Sequence, residues 1–297
     1  MNKIQNDING WLVIDKPYGM GSTQVVGALK RLFHPMKIGH AGTLDPLATG
    51  VLPIALGKAT RTISFVMDGQ KVYLFKVQFG AATTTDDVEG DVCETSDVVP
   101  SPEQIRSVLP RFTGEIEQIP PAYSAIKLNG RRAYDLARRG ELVAIKPRSV
   151  RIDRLTLLEM NGAEATFEVA CGKGTYVRSL GRDIAKALGT CGHITYLRRT
   201  QCGPFSIKES KTLENLNQIA YSDLPDAGLI PVEAVLTDIL ELAVTAHEAR
   251  ALSHGQSLQK DGLMNGGFYK ATFNGGLIAF VTVSGETVRP TKVFKQF

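Results

Sequence analysis

Two periodicities run along the chain, and each predicts its own kind of element. GWLVIDK, residues 10–16, is a short apolar run ended by Lys-Pro and predicts a strand. Behind it Val25, Val26, Leu29, Leu32 and Phe33 recur at helical spacing, predicting an amphipathic helix capped by Ser22. Over residues 70–80, Tyr73, Phe75, Val77 and Phe79 alternate with a more mixed set, as in a strand with one firmly buried face. AEATFEVAC, residues 163–171, alternates cleanly and predicts a half-exposed strand; HITYLRRTQCG predicts another, with Leu197 on the face opposite Tyr196. Ser101, Pro102 and Gln104 form a capping-box start for a helix after the turn-rich acidic TTTDDVEGD. RRAYDLARRG reads as a short basic helix closed by Gly140, and GKGT leads into the helix YVRSLGRDIAKALG, with Thr175 as cap and Gly189 as terminator.

One stretch has neither period. GHAGTLDPLATGVL, residues 39–52, reads as a loop in which Gly39, Gly42 and Gly50 permit unusual backbone angles and Pro46 biases Asp45 toward an extended conformation. From about 205 to 238 the chain turns loop-rich with short helical pieces. Its last part has a Thr245–Glu248 capping box, a brief helix ending near Gly255, and FYKATFN, GLIAFVTVSG and ETVRPTKVF as short strands. We expect two domains, 1–238 and 239–297.

Composition changes this picture little. At 297 residues, 43% hydrophobic and 22% charged, the chain has the profile of a globular protein with a full core and a smaller appendage. No apolar run approaches a membrane span, and the N-terminus lacks the apolar core of a secretory signal, so a cytoplasmic protein is expected. Cysteines at 93, 171, 191 and 202 form no C-x-x-C pair, and the five histidines form no close cluster, so no metal centre is expected. Charge is more informative. Residues 127–154 hold nine Lys or Arg against three acids, and residues 171–199 hold six against one, so the rest of a chain of net +4 is acidic. Such concentration is the footprint of a polyanion site.

The chemistry begins with a single carboxylate, Asp45, set among small residues. GVLPIALGKAT fails the phosphate-loop pattern twice, at Leu52 and Ala59. A glycosidase would want two facing acids, and spacing alone leaves Asp86, Asp87 or Glu89 available as the second. The bland reading, an aspartate that merely forms a turn, also stands on spacing alone. Arg178 falls in the first turn of its predicted helix, where the dipole disfavours a cation, so a partner carboxylate or phosphate is expected there.

The segment GHAGTLDPLATGVLPIALGKATR closely resembles the catalytic motif of the TruB-type tRNA pseudouridine synthases. WLVIDKPYGMGS, the KVY strand, PPAYSAIKLNGRRAYDLARRG, GTYVRSLGRDIAKALG and LRRTQCGPF match that family in the same order, from about residue 10 to 205. The resemblance implies an α+β pseudouridine-synthase fold, a mixed, largely antiparallel sheet with flanking helices, followed by a small β-barrel, PUA-like RNA-binding domain. It implies isomerisation of uridine 55 in the tRNA T loop, without cofactor. Asp45 is then the catalytic carboxylate, and one suffices because the freed base is both leaving group and returning nucleophile. Arg178 matches the arginine that pairs with this carboxylate, Tyr73 the tyrosine that stacks on the flipped base, and Leu197 the apolar residue on its other face. His40 looks like the residue that fills the gap left in the T loop, and Asp87 and Tyr176 match further pocket positions. Residues 121–149 resemble an insertion that closes over the T stem-loop, where Arg131, Arg132, Arg138 and Arg139 would meet phosphates. The expected partner is tRNA, with no membrane and no small-molecule cofactor, bound by a monomer. A non-catalytic RNA-binding or folding factor and a nucleoside hydrolase remain as alternatives.

Overall fold

The computed structural model describes residues 6–124, 127–128, 131–132, 134, 139, 145–219 and 228–294, with backbone alone at 127–128 and 131–132. In chain order the strands of the first sheet are β1 (Gly10–Lys16), β2 (Ile38–His40), β3 (Thr49–Leu56) and β4 (Lys71–Phe79). A hairpin of β5 (Ala81–Thr83) and β6 (Val92–Thr95) follows, then β7 (Gly114–Gln118) and a backbone hairpin of β8 (Lys127–Leu128) with β9 (Arg131–Arg132). The first sheet is completed by β10 (Arg148–Asn161), β11 (Glu164–Cys171), β12 (Gly192–Cys202) and β13 (Phe205–Ser206). Its order is β1-β3-β12-β4-β11-β10-β7, with β2 on β3 and β13 on β12. Only the β3–β12 contact is parallel among the described pairings of this sheet; it is what makes the sheet mixed rather than antiparallel.

Alternation along β4 and β11 does what it predicts. Phe75, Val77 and Phe79 meet Phe167 and Ala165 on one buried face, the Phe75 and Phe167 rings stacked 5.2 Å apart. Packed onto that face is the helix Val177–Ala187, through Val177, Leu180, Ile184 and Ala185. The helix Ser22–Phe33 buries Val25, Leu29 and Phe33 against β1 and β3. Two caps differ from expectation. Gly21, not Ser22, occupies the N-cap, and the Ser22 hydroxyl instead donates to the Leu44 carbonyl at 3.0 Å and accepts from the Leu44 amide at 2.9 Å. Tyr176, not Thr175, precedes the Val177 helix, because the Thr175 hydroxyl donates backwards to the Gly172 carbonyl. In both cases a long-range or turn partner outcompetes the helix terminus for the hydroxyl.

The stretch 39–52 is not wholly loop. Its first residues lie in β2 and its last in β3, so only residues 41–48 are irregular. Tertiary pairing on both edges of β3 imposes extension there. Strands β7 and β10, absent from the pattern reading, extend the sheet beyond β11. Bulges between Ile152 and Arg154 and between Leu157 and Glu159 break the alternation of β10 that would have announced it.

Residues 240–293 build a second sheet from β14 (Leu240–Ala243), β15 (Leu258–Gln259), β16 (Phe268–Phe273), β17 (Gly276–Ser284) and β18 (Thr287–Val293). The sheet, ordered β14-β16-β17-β18-β15, curls into a half-barrel. Thr245 and Glu248 cap its helix, Ala246–Ser253, in the expected box. Phe280 joins the second sheet to the first: it is fully buried, edge-on to Phe65 at 5.2 Å and to Phe294 at 4.9 Å, in one apolar cluster with Trp11 and Val51. Among the described helices none is long and apolar enough to cross a membrane.

Candidate active site

The segment between β2 and β3 is tied down on every side. Ser22 holds Leu44, as above. The Lys16 ammonium, fully buried, donates to Pro17, Met20 and Pro46 carbonyls at 2.9, 2.6 and 3.0 Å. Arg199, also buried, donates from Nη2 to the Gly42 carbonyl at 2.9 Å and from Nε to the Val51 carbonyl at 2.7 Å. Gly42 sits at φ +91°, and Gly50, at φ +98°, lets the backbone of β3 approach Arg199 so closely that a Cβ would lie 2.1 Å from its carbonyl oxygen. Asp45 is thereby presented by anchored backbone, its side chain 42% exposed.

Opposite stands Arg178. Its Nη2 lies 2.9 Å from Asp45 Oδ2 and its Nη1 3.3 Å from Asp87 Oδ2. The same guanidinium donates to the Thr85 carbonyl at 3.0 Å and the Tyr123 carbonyl at 2.9 Å. Two carboxylates and two carbonyls offset the cost of a cation in the first helical turn. Asp87 is in turn held by the Thr85 hydroxyl at 2.6 Å and the Glu89 amide at 3.0 Å.

The Asp45–Arg178 pair opens into a cavity of about 310 Å³ walled by Tyr73, Tyr176, Leu197 and Arg199. Tyr73 reaches it from β4, beside Leu197 on β12, and the strands' register sets Tyr73 directly against Arg199. Burial pushes the Tyr73 phenol up to about 12 although the neighbouring Arg199 guanidinium opposes this, so the hydroxyl is protonated at neutral pH. Burial likewise raises the Tyr176 phenol. That tyrosine is fixed by a two-way backbone exchange with the Gln118 side chain, its amide donating at 2.8 Å and its carbonyl accepting at 3.1 Å.

Of the sequence-derived candidates, the fold therefore brings Asp45, Tyr73, Tyr176, Arg178 and Leu197 around one cavity. Asp87 adjoins it through Arg178 and shares a smaller neighbouring cavity with Asp45 and Leu197. His40 lies on β2, outside that wall, with its Nδ1 unpartnered among the described residues. Burial, then Arg199, lowers its pKa and favours the neutral ring. Arg139 is exposed; Arg138 and the side chains of Arg131 and Arg132 lie outside the described residues, as does most of the expected basic helix, whose first two residues, Arg131 and Arg132, are instead strand β9 paired with β8. A glycosidase pair is disfavoured, because Asp45 is the only acidic residue among the described residues that wall this cavity; Asp86, Asp87 and Glu89 lie outside it. The described residues contain no cluster of three side chains fit to hold a metal.

Sequence reasoning missed Lys16 and Arg199. Both are buried cations whose partners are backbone carbonyls, and no residue pattern marks such a role. A lysine closing an apolar strand and a doubled arginine on a strand were the available signals.

Residues 30–177 match the model of the TruB family pseudouridylate synthase N-terminal domain, and residues 178–237 that of the tRNA pseudouridylate synthase B C-terminal domain. A tRNA pseudouridine synthase B of Bradyrhizobium diazoefficiens is 51% identical over 98% of this chain and 87% of its own length. The enzyme of that name from Rhodospirillum rubrum is 48% identical over 96% of each chain. Among solved structures, an H/ACA RNP bound to a substrate RNA containing 2′-deoxyuridine includes a chain that superposes with a TM-score of 0.73 at 26% identity, covering 96% of this chain and 85% of the other. A Cbf5-Nop10-Gar1 complex gives 0.73 at 27% identity, covering 97% and 85%.

Proposed function

The chain belongs to the TruB family of pseudouridylate synthases, and from that premise we propose that Asp45 is the carboxylate that opens and remakes one glycosidic link, at uridine 55 in the T loop of tRNA. The protein is a tRNA pseudouridine synthase, an isomerase. The uridine leaves the stack and enters the cavity, where Tyr73 and Leu197 offer two faces for the base. Asp45 acts as an ionised carboxylate on the ribose, at C1′ or on the C2′ proton, and both routes need its charge. Uracil leaves through N1, turns and rejoins through C5, whose proton is then lost. Water must stay out, since its attack would give free uracil and an abasic site.

The observation that carries this reading is the 2.9 Å Asp45–Arg178 pair at the mouth of a cavity with an aromatic wall. Arg178 fixes the carboxylate, Asp87 fixes Arg178, and Tyr176 closes the cavity beside them. His40 we assign to the gap that the departed uridine leaves in the T loop. Residues 121–149, with Arg131, Arg132, Arg138 and Arg139, would grip T-stem phosphates, and residues 239–297 form a PUA-like RNA-binding unit on a synthase domain of residues 1–238. Recognition then rests on the folded shape of the T loop, and phosphate contacts add affinity without specificity. We take the working form to be a cytoplasmic monomer.

A T-loop hairpin tritiated at uracil C5 tests the assignment. The protein should release tritium to water and leave a C-linked nucleoside, while Asp45→Asn should do neither. Normal turnover by Asp45→Asn would remove Asp45 from the mechanism, and free uracil would identify a hydrolase. Tight binding with no tritium release from wild type would leave only an RNA-binding factor.

A further inference from the structure

Arg178 and Arg182 stand one turn apart on the helix Val177–Ala187 and grip two consecutive aspartates. Arg182 Nη1 lies 2.8 Å from Asp86 Oδ2, with both side chains largely withdrawn from solvent. Asp86 is a non-glycine residue at φ +62°, a left-handed conformation that side chains beyond Cβ disfavour. Its amide donates to the Thr83 carbonyl at 3.2 Å and its carbonyl accepts from the Ile194 amide at 3.0 Å, so both peptide groups of the turn are committed. The reversal at Asp86 sends the next side chain, Asp87, back to Arg178, which holds Asp45. Burial raises the Asp86 carboxyl, and Arg182, then Arg178, oppose that rise, so the carboxylate's cost of burial is offset chiefly by Arg182.

Resting on the reading above, we infer that Arg182 is a positioning residue for the Asp45 site: by pairing with Asp86 it locks the left-handed turn that aims Asp87 at Arg178. Nothing in the motif that carries Asp45 calls for Arg182, and it lines neither cavity beside Asp45. It reaches the reaction through the series Arg182, Asp86, Asp87, Arg178, Asp45. Arg182 also donates from Nη2 to the Ile119 carbonyl at 2.9 Å, near the root of the segment 121–149. A role through that contact would alter RNA binding, whereas the turn-locking role alters turnover.

The experiment compares kcat for tritium release and Kd for the T-loop hairpin across four proteins. Arg182→Met strands the Asp86 charge and should lower kcat at least tenfold with Kd changed less than twofold. Adding Asp86→Asn to Arg182→Met removes the charge and keeps a residue that tolerates φ above zero, so kcat should return to within threefold of wild type. Should Arg182→Met not fold, Asp86→Val leaves Arg182 intact, forbids the left-handed turn, and should lower kcat in the same way. The inference is overturned if Arg182→Met or Asp86→Val turns over like wild type, or if the double variant is no faster than Arg182→Met. It is also overturned if Kd rises as much as kcat falls. Wild type that releases no tritium sinks the functional reading and this inference together; active wild type with an equally active Arg182→Met sinks this inference alone.

Discussion

Replacing Arg178 with methionine separates what the guanidinium does for the fold from what it does for the reaction. The side chain is 7% exposed, and methionine replaces its aliphatic stem while removing the guanidinium and every bond it makes. Two carboxylates lose their partner unequally. Asp87, 9% exposed, becomes a buried, unpaired charge, a change that costs roughly 3–5 kcal/mol. Asp45, 42% exposed, is screened by solvent, so the lost attraction there is about 1–2 kcal/mol, between the limits for water and for a protein surface. Stability should therefore fall mainly on account of Asp87, by roughly 6–20 °C in Tm. Turnover should fall on account of Asp45: about 1–2 kcal/mol of lost charge pairing is roughly 5–30-fold, and misplacement of the carboxylate adds about another hundredfold. The expectation is a loss of roughly 500- to 3,000-fold in kcat, read by single-turnover tritium release, with hairpin Kd unchanged within a few-fold by filter binding. Coupling Arg178→Met to Asp87→Asn removes the orphaned charge, so Tm should recover most of its loss and kcat should not. If turnover returns along with stability, or if the single variant loses binding in proportion to rate, Arg178 is scaffold and the catalytic pairing is mistaken.

Lys16 makes stability depend on pH in the alkaline range. Burial lowers it from 10.5 to about 8, so the unfolded chain binds the proton more tightly than the folded one. The charged ammonium therefore costs stability below pH 8, and folding gains up to ~3 kcal/mol as pH rises from 8 to 10.5. Urea titrations at both pH values should show this gain in wild type and not in Lys16→Met; equal slopes refute it. Gly50→Ala should cost ~2–4 kcal/mol and most of the activity, since its Cβ would meet the Arg199 carbonyl at 2.1 Å on backbone at φ +98°; an unchanged Tm would refute the close approach. Phe280→Ala opens the aromatic junction between the two sheets and should cost about 3–5 kcal/mol, with both sheets losing hydrogen-exchange protection together. Protection lost from the second sheet alone would show that the junction does not couple them.

Much of this molecule is legible locally. The alternation in β4 and β11, the boxes at Ser101 and Thr245, and the turn at Gly189 each depend on a few adjacent residues, and the structure follows them. Where it departs, a distant partner has intervened. Ser22 and Thr175 have cap-forming side chains, but Leu44 and Gly172 claim their hydroxyls. The ends of 39–52 carry loop residues, but neighbouring strands extend them. The bulged β10 conceals its own period.

By itself, the sequence determined which residues could do chemistry: an isolated Asp45 in a stretch too constrained for an ordinary turn, a cation at the unfavourable end of a helix, and aromatic and apolar side chains at strand positions. Only the tertiary structure decided which of these meet. The sheet order puts β3, β12 and β4 side by side, so Asp45, Leu197 and Tyr73 converge, and the helix crossing that sheet delivers Arg178 to Asp45 and Asp87. It also recruited Lys16, Arg199 and Arg182, whose positions no local pattern could rank. The reason is physical: propensity and capping act over one or two turns of chain, whereas burying a charge is tolerable only where folding has already assembled its partners.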